Sequence, residues 1–303
     1  MSTATCDIRF SLQNRYAQKG LETALAKLGV TNGAVTISGR ATRGEREISM
    51  EEFLAADTEA IRTALTKFLE KHSLPRANDL VILDMEPEGF APRRLGEFEG
   101  TKQRERLQKK LIAAYRRRIR VARQVLRRTM LPGLRLGLYQ VIVPDEKGRP
   151  SEGYEQRMRG YIEAGRQGMY DQLDFICPVL YQRFGPEDAT PETLRRWIAA
   201  STRQAIDGSL TLTRRNGARI PLVPILSFWV FKGRPDSDRS AVSPKSVARQ
   251  LQIVQNAAGV EAILFWSAWQ TEQEMELAEK PVEPIDIDDF LVGTGSLPWP
   301  GCT

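Results

Sequence analysis

The chain has 303 residues, 41% hydrophobic and 27% charged, with a formal net charge of +6. That is enough for one large domain with a substantial core, and it excludes a disordered or fibrous chain. No apolar run approaches the ~18–20 residues that a membrane-spanning helix needs, and the N-terminus shows no signal-peptide pattern.

Strands and helices alternate along the chain. Asp7 to Leu12 reads as a first strand and Ala34 to Ser38 as a second. Ser49-Met50-Glu51-Glu52 is a capping box opening a helix that buries Leu54, Ile61, Leu65, Phe68 and Leu69. His72, the one histidine, falls at the end of that helix, where it serves better as a cap than as a catalyst.

Leu80 to Glu86 is the third strand. Its apolar run ends in Asp84 and Glu86, spaced i, i+2, and Pro87 stops it. Side chains two apart in a strand share a face, so the two carboxyls fall together at the strand's C-terminal end. Adjacent acids push each other's pKa values apart, which keeps one available as a proton donor.

A helix from Lys102 to Arg128 follows, with Leu107, Leu111, Tyr115, Ile119, Ala122 and Leu126 on one stripe and Pro132-Gly133 past its end. It carries twelve Lys/Arg and one acid, a net +11, which leaves about −5 for the remainder. The basicity therefore belongs to one helix, either as a solvated face or as a patch for a polyanion.

Leu134 to Val143, Leu173 to Tyr181, Ile220 to Trp229 and Ala262 to Trp266 read as strands four to seven. Thr190-Pro191 and Ser243-Pro244 each set an N-cap residue before an N1 proline. Repeated βα units predict an α/β fold with a parallel sheet covered on both faces. At this length the leading architecture is a single (β/α) barrel over 1–303, irregular with seven clear strands, with 280–303 wrapping the outside. The alternative is a doubly wound open sheet, but no glycine-rich nucleotide-binding motif is present.

In a barrel, function is read from the C-terminal strand ends. Those ends carry Asp84 and Glu86, then Tyr139 and Gln140, then Tyr181 and Gln182, then Trp229, and finally Trp266 and Trp269. Aromatic faces stack on sugar rings, while amides and carboxyls hydrogen-bond their hydroxyls. The reading is a glycoside hydrolase that needs no cofactor or metal, acting on a polysaccharide or glycan. Two acids this close cannot flank a sugar from opposite faces. A variant reading takes a second carboxylate from Asp145, Asp174 or Glu272, and a non-enzymatic one has the helix 102–128 bind an anionic polymer. Cys177 lies in an apolar run; Cys6 and Cys302 lie near opposite ends, to be bridged if a barrel brings the termini together, or left as free thiols.

The D-x-E at a strand end, the tyrosine after a later strand and the Phe265-Trp266 near the last strand resemble the hyaluronidase family of glycoside hydrolases, and the wider group, including chitinases, that uses substrate-assisted catalysis. The resemblance implies an irregular barrel, and a disulfide tying Cys6 to Cys302. It implies Glu86 as general acid/base on an N-acetylhexosamine-containing polysaccharide. Asp84 would orient the substrate's own acetamido group, Tyr181 would hydrogen-bond that group, and Trp266 would floor the sugar site. It also implies a secreted or periplasmic protein. Met85 stands where that family has an aromatic residue, and Pro87-Glu88-Gly89-Phe90 follow where it has further aromatic and basic residues.

Overall fold

The computed structural model describes residues 9–13, 33–71, 75–185, 188–227 and 242–266, with residues 9–13, Pro244 and Trp266 described by backbone alone. Cys6, His72, Trp229, Trp269, Glu272, Cys302 and the tail 280–303 lie outside the described residues.

Seven parallel strands are described: β1 (Arg9–Gln13), β2 (Ala34–Ile37), β3 (Leu80–Leu83), β4 (Arg135–Leu138), β5 (Phe175–Ile176), β6 (Ile225–Ser227) and β7 (Ala262–Trp266). The hydrogen-bonded order is β2-β3-β4-β5 in one sheet and β1-β7-β6 in the other. Parallel bridges Ile176 to Leu222 and Val179 to Ile225 join the two. β1 and β2 pack together, without a ladder among the described residues. The strands are shorter than the sequence patterns because proline interrupts the ladders. Pro178, Pro221 and Pro224 have no N–H to give, so the regions of the fifth and sixth strands meet largely through bridges.

Alternation divides the strand residues between two cores. Leu80, Ile82, Phe175, Cys177, Val179, Tyr181, Val223, Ile225, Ala262 and Leu264 form an inner core made of strand-region residues. Val81, Leu83, Leu136, Leu138, Ile176, Leu226, Ile263 and Phe265 face the other way, onto the helices. This is the pattern of a parallel sheet buried on both sides. Gly137 belongs to the inner face, where a Cβ would come within 2.0 Å of the Phe175 ring.

Among the described residues the helices are α1 (Gly39–Thr42), α2 (Met50–Ala55), α3 (Thr58–Lys71), α4 (Lys102–Arg128), α5 (Glu152–Arg166), α6 (Pro191–Leu210) and α7 (Pro244–Gln255). The capping box at Ser49 and Glu52 is present. The single helix expected after it is instead two, because Asp57 Oδ1 accepts from Ala60 N at 2.7 Å and starts α3 afresh. Thr190 Oγ1 caps α6 through Thr193 N, whereas Ser243 makes no side-chain cap bond to α7.

α4 runs antiparallel to the strands, from the end where they finish back to where they start, and over ~40 Å by its 27 residues. Its apolar stripe is buried apart from the half-buried Leu107. Four of its twelve cations are tied to the fold, the first being Arg104, which donates to Glu97 O. Arg117 donates to Ala56 O, and Arg123 donates to Gln172 O and pairs with Asp174. Arg118 is fully buried with no acid partner among the described residues. It donates to Ala114 O at 3.1 Å, Arg43 O at 3.0 Å and Phe53 O at 2.8 Å, and its guanidinium stacks 3.6 Å above the Phe53 ring. Burial pulls its pKa down to about 9. With Tyr115 Oη donating to Phe90 O, it ties α4 to the loops that follow β2 and β3. Arg118→Met would take the side-chain donor from the carbonyls of Arg43 and Phe53, at a cost of about 2–4 kcal/mol in chemical unfolding. Arg118→Lys would not restore the loss, because an ammonium cannot reproduce the planar fork.

Candidate active site at the strand ends

The alternation of β3 continues past its last ladder residue. Asp84 N still donates to Ile37 O at 2.9 Å, which keeps the chain extended. Leu83 and Met85 therefore point into the outer core, while Leu80, Ile82, Asp84 and Glu86 take the inner side. Met85 is 1% exposed, a core residue filling space between the two acids along the chain. The carboxyls of Asp84 and Glu86 share a side-chain hydrogen bond. Two carboxyls this close disfavour a second negative charge.

Burial raises the Glu86 pKa above the usual carboxylate range, and Arg93, the bond to Asp84 and Arg46 pull it back only in part. Arg93 Nη1 lies 3.0 Å from Glu86 Oε1 and 2.5 Å from Gln140 Oε1, so one guanidinium clamps the acid to the turn after β4. Arg93 comes from a 3₁₀ helix, Pro92–Phe98. That helix lies tight against α5: a Cβ on Gly160 would come within 2.2 Å of Gly96 N.

Gln140 reaches Arg93 through a strained backbone. Its φ is 54°, and Ile142 two residues on has φ 71°. The left-handed region is costly for a β-branched side chain, at ~1–2 kcal/mol per residue. The turn is held by Tyr161 Oη donating to Gln140 O at 3.2 Å. Tyr139 Oη donates to Tyr181 Oη at 3.1 Å. Burial, then the negative charge of Glu86 and Asp84, raises the Tyr139 pKa far above its ordinary value. Burial, Tyr139 and the same two acids do likewise for Tyr181. Both phenols are thus held neutral beside the acid pair.

Five of the residues singled out in the sequence therefore come together: Asp84, Glu86, Tyr139, Gln140 and Tyr181. Gln182 does not join them. It is 6% exposed and faces away, its Nε2 donating to Gln250 Oε1 at 3.0 Å on α7. The period of two explains this correction: Val179 and Tyr181 share the inner face, which sends Leu180 and Gln182 outward. Trp266 ends β7 by its backbone, and Trp229 and Trp269 lie outside the described residues.

Two of the three alternative carboxylates are engaged elsewhere. Asp174 accepts from Leu136 N and pairs with Arg123 at 2.6 Å. That places it at the starts of β4 and β5, the wrong end for the site. Asp145 pairs with Arg157 at 2.6 Å, while its backbone N–H donates to Gln204. Glu272 lies outside the described residues.

The residues that the motif reading overlooked are cations. Arg93 and Arg46 act on Glu86, and Arg183 acts on Tyr139 and Tyr181. Burial lowers the Arg183 pKa, opposed by Tyr139, Glu146 and Tyr181. Arg183 had a legible signal, since it lies two residues beyond Tyr181 on the same face. Asp84 and Glu86 open onto a cleft of about 720 Å³, also lined by Arg40, Arg46, Lys67 and Lys71. Among the described residues no group of three or more His, Cys, Asp or Glu could hold a metal ion.

No protein-family model and no curated protein matches this chain. Among solved structures, bee venom hyaluronidase in complex with a hyaluronic acid tetramer superposes with a TM-score of 0.60, at 11% identity, over 94% of this chain and 98% of that one. The likeness is one of fold, over nearly the whole length of both chains. A sugar phosphate isomerase/epimerase from Parabacteroides distasonis scores 0.32 at 11% identity, over 97% of this chain and 93% of that one. Mannonate dehydratase from Streptococcus suis scores 0.32 at 11% identity, over 96% and 86%.

A raised folded-state pKa has a thermodynamic consequence. Glu86 holds its proton more tightly folded than unfolded, so stability falls as pH rises from the unfolded value of about 4.3 towards the raised folded one. Glu86→Gln removes that penalty. Its melting temperature should exceed that of the parent at about pH 7, and the gap should close as pH falls below about 4.

Proposed function

We propose that the chain is a glycoside hydrolase acting on an N-acetylhexosamine-containing polysaccharide by a retaining, substrate-assisted mechanism. The observation that carries this reading is the Asp84–Glu86 pair at the strand end, with burial raising the Glu86 pKa above the usual carboxylate range. Glu86 protonates the leaving glycosidic oxygen and later takes a proton from the attacking water. A nucleophilic carboxylate on the opposite face would have to stand ~5–5.5 Å from the acid, which two carboxyls in hydrogen-bond contact do not provide. The nucleophile is then the substrate's own acetamido oxygen. Asp84 accepts from the acetamido N–H and stabilises the positive charge that develops as the ring forms.

The Tyr139–Tyr181 pair supplies neutral hydroxyls beside the acids. Tyr181 hydrogen-bonds the acetamido oxygen and Tyr139 fixes the direction of the Tyr181 hydroxyl. Trp266 provides the apolar floor for the sugar ring. Arg93 positions Glu86 and keeps its pKa from rising further. The shared fold with bee venom hyaluronidase supports an extended glycan as the substrate class.

Reducing-end release from a panel of polysaccharides tests the reading. Glu86→Gln should lower kcat by about 10³-fold or more, and Asp84→Asn by about 10²-fold. Full turnover in Glu86→Gln, or cleavage of substrates lacking an N-acetyl group, would end it. A thiazoline analogue of the cyclised intermediate should inhibit the parent and lose affinity for Asp84→Asn. Arg93→Met removes the cation facing Glu86, so the alkaline limb of kcat/KM should move to higher pH.

A further inference from the structure

Eight cations of α4 make no contact with the rest of the fold among the described residues, and six of them fall in one line, with Lys110 and Arg128 about 80° to its side. Lys102, Arg106, Lys109, Arg116, Arg120 and Arg127 follow one another at steps of four, three, seven, four and seven residues. Those steps return to the same side of an α-helix, within about 40° either way at 100° per residue. All six are exposed. None has an ion pair or a side-chain hydrogen bond among the described residues. Glu105 is the helix's single acid. The result is a cationic stripe ~38 Å long, from a helix whose opposite side is held in the core.

We propose that this stripe binds a linear polysaccharide bearing carboxylate or sulfate groups, the continuation of the polymer cut at the acid pair. The proposal rests on the functional reading above for the identity of that polymer. Continuity with the site argues for it. The stripe begins four residues beyond the 3₁₀ helix whose Arg93 touches Glu86, at the end of α4 nearest the strand ends. From there it descends the outside of the fold. The cleft onto which the acid pair opens is itself lined by the cations Arg40, Arg46, Lys67 and Lys71.

The side chains argue for a glycan over a single-stranded nucleic acid. Such strands are held by aromatic platforms as well as charge. The exposed residues between the cations are Gln103, Glu105, Ala113 and Gln124, with no aromatic among them. Fixed charge without stacking suits a polymer whose anions are evenly spaced and whose rings are hydroxylated.

The charge pattern also separates two roles inside one helix. Arg117, Arg118 and Arg123 hold the fold together through backbone carbonyls. Neutralising them would confuse loss of binding with loss of structure. Arg106, Lys109, Arg116 and Arg120 are free of that objection, and glutamine preserves helix propensity.

Binding, rather than turnover, is the deciding measurement. Fluorescence anisotropy on the full chain would use labelled chondroitin sulfate, neutral dextran and a single-stranded oligonucleotide, each over a range of salt. The parent should bind chondroitin sulfate, with affinity falling steeply as salt rises, and should not bind dextran through the stripe. The quadruple variant R106Q/K109Q/R116Q/R120Q should bind chondroitin sulfate at least about tenfold more weakly at low salt, with a shallower salt dependence. Its melting temperature should match the parent's. Made in a Glu86→Gln background, where the probe is not cut, the same four substitutions should weaken binding by a similar factor, so failure of the catalytic reading leaves this result intact. Undiminished binding by the quadruple variant would overturn the proposal, as would tighter binding of the oligonucleotide than of chondroitin sulfate at equal salt.

Discussion

The period of two along β3 organises this molecule. Val81, Leu83 and Met85 go outward to the helices, and Leu80, Ile82, Asp84 and Glu86 go inward. One strand thereby anchors both cores and ends in two acids on the same side. Each neighbouring strand repeats the division, so the ends of β4 and the fifth strand region present Tyr139 and Tyr181 to the same place. A shift of one residue in β3 would bury both acids among the helices and bring Met85 to the cleft.

Placing two carboxyls together at a buried edge is unfavourable unless their charge is met. Here it is met by cations from two separate segments. Arg93 stands on the 3₁₀ helix and Arg46 on the loop after α1. The surroundings are strained where they reach inward, at Gln140 and Ile142, both left-handed. Strain of this kind persists only where the surrounding packing fixes it, and here it aims an amide at the guanidinium that also holds Glu86.

α4 illustrates how one composition hides two functions. As a sequence it is a run of arginines with an apolar stripe. In the fold, Arg118 is a buried cation neutralised by carbonyl dipoles and an aromatic face, and it fixes the loops beside the cleft. Arg104, Arg117 and Arg123 also reach backbone carbonyls, and the other eight cations lie exposed on the outer side. Formal charge counts the two groups alike, although one shapes the fold and the other its surroundings.

Much of the fold is legible in the chain. All seven strands fall within or beside their apolar runs, and the acid pair shares a face because the i, i+2 rule is local. The same rule, applied to the stretch after β5, separates Tyr181 and Arg183 from Gln182. Local rules fail where the backbone leaves them. Period two would turn Gln140 away from Tyr139's side, yet its left-handed turn brings it to Arg93. Arg93 itself lies seven residues from Glu86 and reaches it because Gly96 and Gly160 let the 3₁₀ helix approach α5. Sequence alone thus determined which side chains face inward, because alternation needs only neighbours along the chain. Tertiary structure decided which charges meet them, because that depends on the packing of segments 40 or more residues apart, such as Arg93 against Gln140.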